Sequence, residues 1–229
     1  MATIATWNLH HMGREVKIPK GVVPVIEAVH PDVLVLTEYV GRTERRTEFL
    51  HGLLRAGFGH VQQTEGATGQ NQVMIASQVA QEDGDRAAPD VDEAARTNFL
   101  HRFLHSTRLH VVGFRVPHYQ SERPPKPEKL VEYWRQFTRL ALGLASQQAV
   151  FIGDFNVGNT PADAPGQAAL RKLVKAGYRM CAQEGGLDRA LVSGSLQLKS
   201  FSVIEAAAGY RLTGTGGLSD HPMLVVEVA

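Results

Sequence analysis

Five apolar runs in the sequence meet oxygen-bearing side chains at one end, and those ends are where chemistry could sit. Ile4–Trp7 runs into Asn8, Val33–Leu36 runs on to Glu38, and Val150–Ile152 runs on to Asp154 and Asn156. Two further runs start that way: Asp188 opens "DRALVS", and Asp220 with His221 precedes "PMLVVEV". Asp and Asn are poor strand formers, and burying an unpaired carboxylate is expensive. Taken singly, each has an ordinary explanation. An Asx residue at a strand end makes a turn, Glu38 is a solvated surface acid, and Asp188 pairs with Arg189 or a neighbouring loop. Taken together they point elsewhere, because gathered carboxylates repel one another unless a cation compensates them. Hard oxygen ligands suit Mg²⁺ or Mn²⁺. No Cys/His cluster supports zinc, since His10 and His11 lack the i, i+4 spacing of a helical ligand pair.

These groups share one rim only if the last two strands run opposite to the first three. Short apolar runs rich in β-branched residues predict strands at Ile4–Leu9, Val33–Thr37, Gln72–Ser77, Asn98–Leu104, His110–Val116, Ala149–Phe155, Leu187–Val192, Leu198–Ile204 and Met223–Val228. Helical periodicity predicts helices at Val22–Val29, Thr43–Ala56, Lys126–Ser146 and Gln167–Ala176, with Gly177 as the stop of the last. "QEDGDRAAPDVDEAA" reads as an exposed loop, and the Pro-rich "QSERPPKPEK" leads into the helix of Tyr133 and Trp134. Hairpin-like neighbours alternate with helical crossovers, which predicts a mixed α+β sandwich over a purely parallel sheet.

Bulk properties set outer limits. A chain of 229 residues fits one domain, 1–229, without a linker or internal repeat. A formal charge of +1 announces no overall field for nucleic acid, although a local basic patch would not show in the sum. Arg14, Lys17, Lys20, Arg42, Arg45 and Arg46 do cluster near the first two site runs, where they follow a phosphate backbone or solvate a helix face. The single Cys181 excludes an internal disulfide and fits a reducing compartment. With no signal-peptide pattern and no run near the ~20 apolar residues of a membrane span, the expected location is cytoplasmic. The oligomeric state is left open.

The pieces "IATWNLH", "PDVLVLTEY", "NQVMIAS", "VVGFRVPHY", "FIGDFNVG", "LDRALVS" and "LSDHPMLVVEV" together resemble the endonuclease/exonuclease/phosphatase superfamily. That group includes pancreatic-type deoxyribonuclease, exonuclease III-like repair nucleases, sphingomyelinases and inositol polyphosphate phosphatases. The blocks keep the family's order over residues 4 to 228. The resemblance implies an α+β fold, a four-layer α/β/β/α sandwich of two mixed β-sheets flanked by helices (DNase I-like), with the active site at one end. It implies a divalent-metal-dependent phosphoesterase with Mg²⁺, or Mn²⁺ as substitute. The substrate it implies is a phosphate ester, DNA or RNA first, a small ester or phospholipid head group second. A non-catalytic binding protein on the same fold is the remaining reading.

Carried over block by block, the resemblance makes Glu38 the principal metal ligand, Asn8 its support, and Asp220 a further ligand, directly or through water. Asp154 and Asn156 match the pair that positions the nucleophilic water and binds phosphate, His221 the catalytic histidine, and Asp188 its partner. A carboxylate can accept the proton that an amide cannot, so Asp154 is the candidate base. Two positions depart from the pattern. His10 stands where repair-type members carry an acid, which weakens a second metal at this end. Arg115 stands where nuclease members carry Tyr or His; it can clamp phosphate bidentately or form a salt bridge, leaving His118 or Tyr119 to move a proton. Trp7, Tyr133 and Trp134 read as core. His101, His105 and His110 read as unconnected residues on alternating strand faces, and Thr213–Gly217 as a flexible loop beside the site.

Overall fold

The computed structural model describes residues 1–10, 18–41, 43–66, 69–119 and 124–229, without the side chains of 43–45. In chain order the first elements are β1 (Ala2–Asn8), α1 (Val22–Val29), β2 (Val33–Tyr39), α2 (Thr43–Arg55), β3 (His60–Gln63), β4 (Gln72–Ser77) and β5 (Gln81–Asp83). Next come α3 (Glu93–Thr97), β6 (Phe99–Leu104), β7 (Leu109–Arg115), α4 (Pro127–Leu144), β8 (Ala149–Asp154) and α5 (Ala164–Lys175). The remainder is β9 (Arg179–Ala182), β10 (Asp188–Val192), β11 (Leu198–Ile204), the small hairpin β12 (Ala206–Ala207) and β13 (Tyr210–Arg211), and β14 (Met223–Val228).

Two mixed six-stranded sheets result, ordered β11-β14-β1-β2-β4-β3 and β5-β6-β7-β8-β10-β9. β1 is parallel to β2 and β7 to β8, with α1 and α4 as the crossovers. β14 runs antiparallel to β1, and β10 antiparallel to β8. The starts of β10 and β14 therefore share a rim with the ends of their neighbours, as the sequence pattern requires.

The strands carry continuous apolar runs because both of their faces are covered. Ile4, Val35 and Ile75 of the first sheet pack against Val111, Ile152 and Ala190 of the second. Outward, Ala5, Leu36 and Met74 meet Ile26 of α1 and Leu53 of α2. On the other side Phe114 and Phe151 meet Trp134 and Phe137 of α4 and Leu173 of α5. Each fully buried side chain of this kind contributes roughly 1.5–3 kcal/mol, which offsets the burial of polar groups at one rim. The expected four layers are present.

Several local expectations change. The stretch read as an exposed loop forms β5 and the start of α3, where Asp92 caps the helix by accepting from the Ala95 amide at 3.0 Å. The edge strands β3 and β9 lie outside the sequence expectations: each is four residues long with two of them exposed, too short and too little buried for an apolar pattern. Thr213–Gly217 is a hydrogen-bonded turn: the Gly217 amide bonds Gly214 O at 2.9 Å, and the amides of Leu218 and Ser219 bond Arg211 O and Leu212 O at 3.0 and 2.8 Å.

Candidate active site

The second sheet sets out three charged residues in register. Arg115 ends β7 opposite Asp154, which ends β8, and Asp154 lies opposite Asp188, which opens β10. Gly153 makes this row possible. Its φ is +151°, and a Cβ there would lie 1.9 Å from the Phe114 carbonyl oxygen, so only glycine lets β8 approach β7 one residue before Asp154. Phe155 then drops into the outer core against Phe114, ring centroids 4.7 Å apart. The "DFN" tripeptide is a pin between two rim residues.

Asp154 is almost fully buried and held by three groups. Asn8 Nδ2 donates to its Oδ2 at 3.1 Å, the Asn156 amide donates to its Oδ1 at 3.0 Å, and Arg115 Nε lies 3.7 Å away. Burial pushes its pKa above the usual carboxylate range; the Arg115 and His221 charges and the Asn156 amide pull the other way, and Glu38 adds to the rise. Asn156 tolerates a left-handed backbone, φ 47°, and its Nδ2 donates to Val116 O at 2.7 Å. That bond fixes the amide, so the buried Oδ1, which has no hydrogen-bond partner, is the acceptor offered at the site.

Glu38 comes from the first sheet. The β2–β4 ladder slips between Leu36 and Tyr39, and Glu38 takes φ 52°, a conformation that costs about 1–2 kcal/mol for a residue with a Cβ. This bulge turns the carboxylate across the rim, where Arg115 Nε donates to Oε1 at 2.7 Å. Asn8 uses both ends of its amide, with Nδ2 on Asp154 and Oδ1 accepting from the His10 amide at 2.9 Å. The structure thus presents Asn8 as a brace between the sheets.

His221 Nδ1 lies 2.5 Å from Asp188 Oδ2. Burial alone would lower the imidazole pKa, but the hydrogen bond and charge of Asp188, with Asp154 and Asp220 behind, raise it to about 9. Asp188 itself is pushed upward, first by burial and then by Asp154 and Asp220, against the pull of His221. Two residues that the motif reading did not assign to the site position His221. The Trp7 indole, buried as expected, donates to His221 O at 3.0 Å. Ser219 Oγ donates to Asn8 O at 2.7 Å and accepts from the His221 amide at 3.2 Å. The one sequence signal for Ser219 was its place immediately before Asp220 and His221.

Asp220 is more exposed, with Oδ2 3.1 Å from His10 Nδ1 and Oδ1 3.8 Å from His221 Nε2. His118 keeps an exposed ring edge; crowding of the rest of the ring, then the Arg115 charge, lower its pKa. It lines a cavity of about 490 Å³ with Arg115, Asn71 and Asn98, while Asp188, Asp220 and His221 line one of about 310 Å³. Tyr119 does not join the group. After Pro117 the chain turns inward, Tyr119 is fully buried in the outer core, and its hydroxyl donates to Asp92 Oδ1 at 3.1 Å. Of the basic cluster, Arg14, Lys17, Arg42 and the Arg45 side chain lie outside the described residues; Lys20 and Arg46 are exposed.

The donor set fits a divalent cation. Four carboxylates (Glu38, Asp154, Asp188 and Asp220) face one guanidinium and one imidazolium, which leaves two negative charges, three of the four acids being buried. A second set with ligand spacing does not fit. Asp85, His101 and His110 bring donor atoms within 4.8 Å of one another, and the two rings meet at 3.0 Å, correcting the reading of separate faces. But the Arg86 amide donates to His101 Nδ1 at 3.1 Å, so the neutral ring carries its proton on Nε2 and donates it to His110. Neither nitrogen of His101 is left for an ion.

Among solved structures the fold is similar to an AP endonuclease from Archaeoglobus fulgidus, with TM-score 0.73, 18% identity and 99% of each chain covered. It is similar to the 3′ phosphatase NExo from Neisseria, bound to a product DNA hairpin, with TM-score 0.68, 17% identity and 100% of each chain covered. An endonuclease/exonuclease/phosphatase from Beutenbergia cavernae gives TM-score 0.72 at 16% identity, over 99% of this chain and 71% of that one. No curated protein matches the sequence. The model of the Endonuclease/Exonuclease/phosphatase family matches residues 5–221, and with the fold and the rim just described the chain belongs to that family.

Proposed function

We propose that this chain is a divalent-metal-dependent phosphoesterase that hydrolyses phosphodiester bonds, and that its substrate is nucleic acid. The observation that carries the reading is the row Arg115–Asp154–Asp188 with His221 set on Asp188 at 2.5 Å. The family supports phosphate-ester chemistry, and two similar structures, an AP endonuclease and a phosphatase with a DNA hairpin, support the polymer.

Asp154, buried and made more basic by desolvation, takes the proton of the attacking water, while Asn156 Oδ1 accepts from that water and sets its direction. His221 is an imidazolium at neutral pH and donates to a phosphoryl oxygen, its ring orientation fixed by Asp188. Arg115 supplies a permanent cation for the phosphate. Glu38 and Asp220 would hold a Mg²⁺ or Mn²⁺ ion, braced by Asn8; such an ion would supply charge neutralisation for the phosphate and the leaving alkoxide. Among the described residues no helix is long and apolar enough to cross a membrane. The single cysteine, Cys181, which allows no internal disulfide, fits a reducing, cytoplasmic setting.

A small phosphate ester is the second reading, favoured by the cavity of about 490 Å³ beside Arg115 and by the low net charge. Labelled DNA, RNA, abasic duplex and small phosphate esters, assayed with Mg²⁺, Mn²⁺ or chelator, separate the two. Cleavage of a nucleic acid that chelator abolishes and His221→Ala reduces at least about 10²-fold is the expected result. Intact polymers beside a cleaved small ester would transfer the assignment to the second reading.

A further inference from the structure

Arg115 occupies an unusual place for a residue meant only to grip substrate. It rises from the second sheet, yet its Nε bonds the Glu38 carboxylate of the first at 2.7 Å, with the Asp154 carboxylate 3.7 Å away. The Arg115 and Glu38 side chains are 10% and 8% exposed, so their attraction is little screened by water. The Arg115 amide is fixed by Asn98 O at 2.9 Å, whereas its side chain also borders the cavity that holds His118 and Asn71.

We propose that Arg115 is a resident counter-cation that competes with the divalent ion for Glu38 and moves to the substrate phosphate when the ion binds. This rests on the reading of Glu38 as a metal ligand. An ion drawn to Glu38 has to share a carboxylate whose Oε1 already accepts a charge-assisted hydrogen bond, and it sits beside a like charge. A phosphate oxyanion relieves both penalties by giving the guanidinium a new partner in the adjacent cavity. Metal and phosphate then bind cooperatively, and by linkage each tightens the other by the same factor. An empty site keeps the Glu38 charge paired without an ion.

The test is calorimetric titration with MgCl₂, with and without inorganic phosphate, on wild type, Arg115→Met, Arg115→Lys and Glu38→Gln. Arg115→Met is expected to bind Mg²⁺ about tenfold tighter than wild type without phosphate, the scale of one charge-assisted hydrogen bond. Phosphate is expected to tighten Mg²⁺ binding to wild type and to leave Arg115→Met unmoved. Arg115→Lys, whose charge is retained on a compact head, should keep part of the coupling. If Arg115→Met does not fold, the phosphate effect in wild type and Arg115→Lys still decides. Equal Mg²⁺ affinity with and without phosphate in wild type, alongside loss of binding in Glu38→Gln, overturns the competition and leaves the metal site standing. Absence of Mg²⁺ binding in wild type and Arg115→Met alike overturns the metal site itself.

Discussion

His221 and Asp188 face each other across the two sheets, Nδ1 to Oδ2 at 2.5 Å, one from the approach to β14 and the other from the first residue of β10. The ring is thereby held in one orientation and in its protonated, donating form. Asp188→Asn keeps the shape and removes the acceptor charge. Its turnover should fall about 10²–10⁴-fold with KM nearly unchanged, as steady-state kinetics on the preferred substrate will show. Unchanged turnover would mean that His221 acts without its partner.

Asp154→Asn tests the proposed base. The amide cannot take a proton from water, so turnover should drop by a factor on the order of 10² or more, with metal affinity by calorimetry much less affected. A variant that loses Mg²⁺ and retains its residual rate per bound ion would move Asp154 from base to ligand.

Gly153 and Gly113 make a paired stability test. A methyl on Gly153 meets the Phe114 carbonyl at 1.9 Å and sits on a φ of +151°, whereas one on Gly113 meets a Val35 methyl at 2.6 Å. Backbone yields less easily than a side chain. Gly153→Ala should cost roughly 3 kcal/mol or more, and Gly113→Ala about 1–3 kcal/mol, measured by urea unfolding. The reverse order would remove the argument for a close β7–β8 approach.

His101 gives a pH dependence remote from the rim. Burial first, then His110 and Arg86, against the opposing charge of Asp85, lower its pKa from 6.5 to about 4, and His110 is lowered as well. The folded state therefore binds fewer protons than the unfolded chain between those values. The stabilisation belonging to the neutral ring is complete above pH 6.5 and is lost as pH falls toward 4, about 3 kcal/mol in all. His101→Phe should flatten that part of the curve of unfolding free energy against pH; an unchanged slope would assign it to other groups.

Ser219→Ala removes a hydroxyl that joins Asn8 O to the His221 amide. About 1–3 kcal/mol of stability should go with it, the cost of unsatisfied buried groups. Turnover should fall more than KM rises, because the imidazole is displaced while Arg115 still holds the phosphate. A purely structural role would lower the melting temperature and leave turnover per folded molecule intact.

The polar residues at strand ends are legible because a buried strand has no structural use for a polar side chain at its tip. Asn8, Glu38, Asp154, Asn156, Asp188 and the Asp220–His221 pair stand out that way. What the chain order hides is who faces whom. Arg115 could be seen as a cation at a rim, but its partner Glu38 lies 77 residues away on the other sheet. Tyr119 looked like a site residue from its nearness to Arg115, until the turn at Pro117 carried it into the core. His101 and His110 sit diagonally on a hairpin, His101 opposite Val112 and His110 opposite Phe103, a relation that period-2 counting along one strand cannot reveal. Edge strands such as His60–Gln63 had too little alternation to register.

Because the first sheet supplies Glu38, Asn8 and the segment bearing His221, while the second supplies Arg115, Asp154 and Asp188, the aliphatic slab between them is a spacer of fixed gauge. Trimming it by one methylene at a distant position, as in Ile152→Val or Ile75→Val, would alter the gap across which opposite halves of the machinery must align. Catalytic rate should then respond to the thickness of an apolar layer that touches neither water nor phosphate.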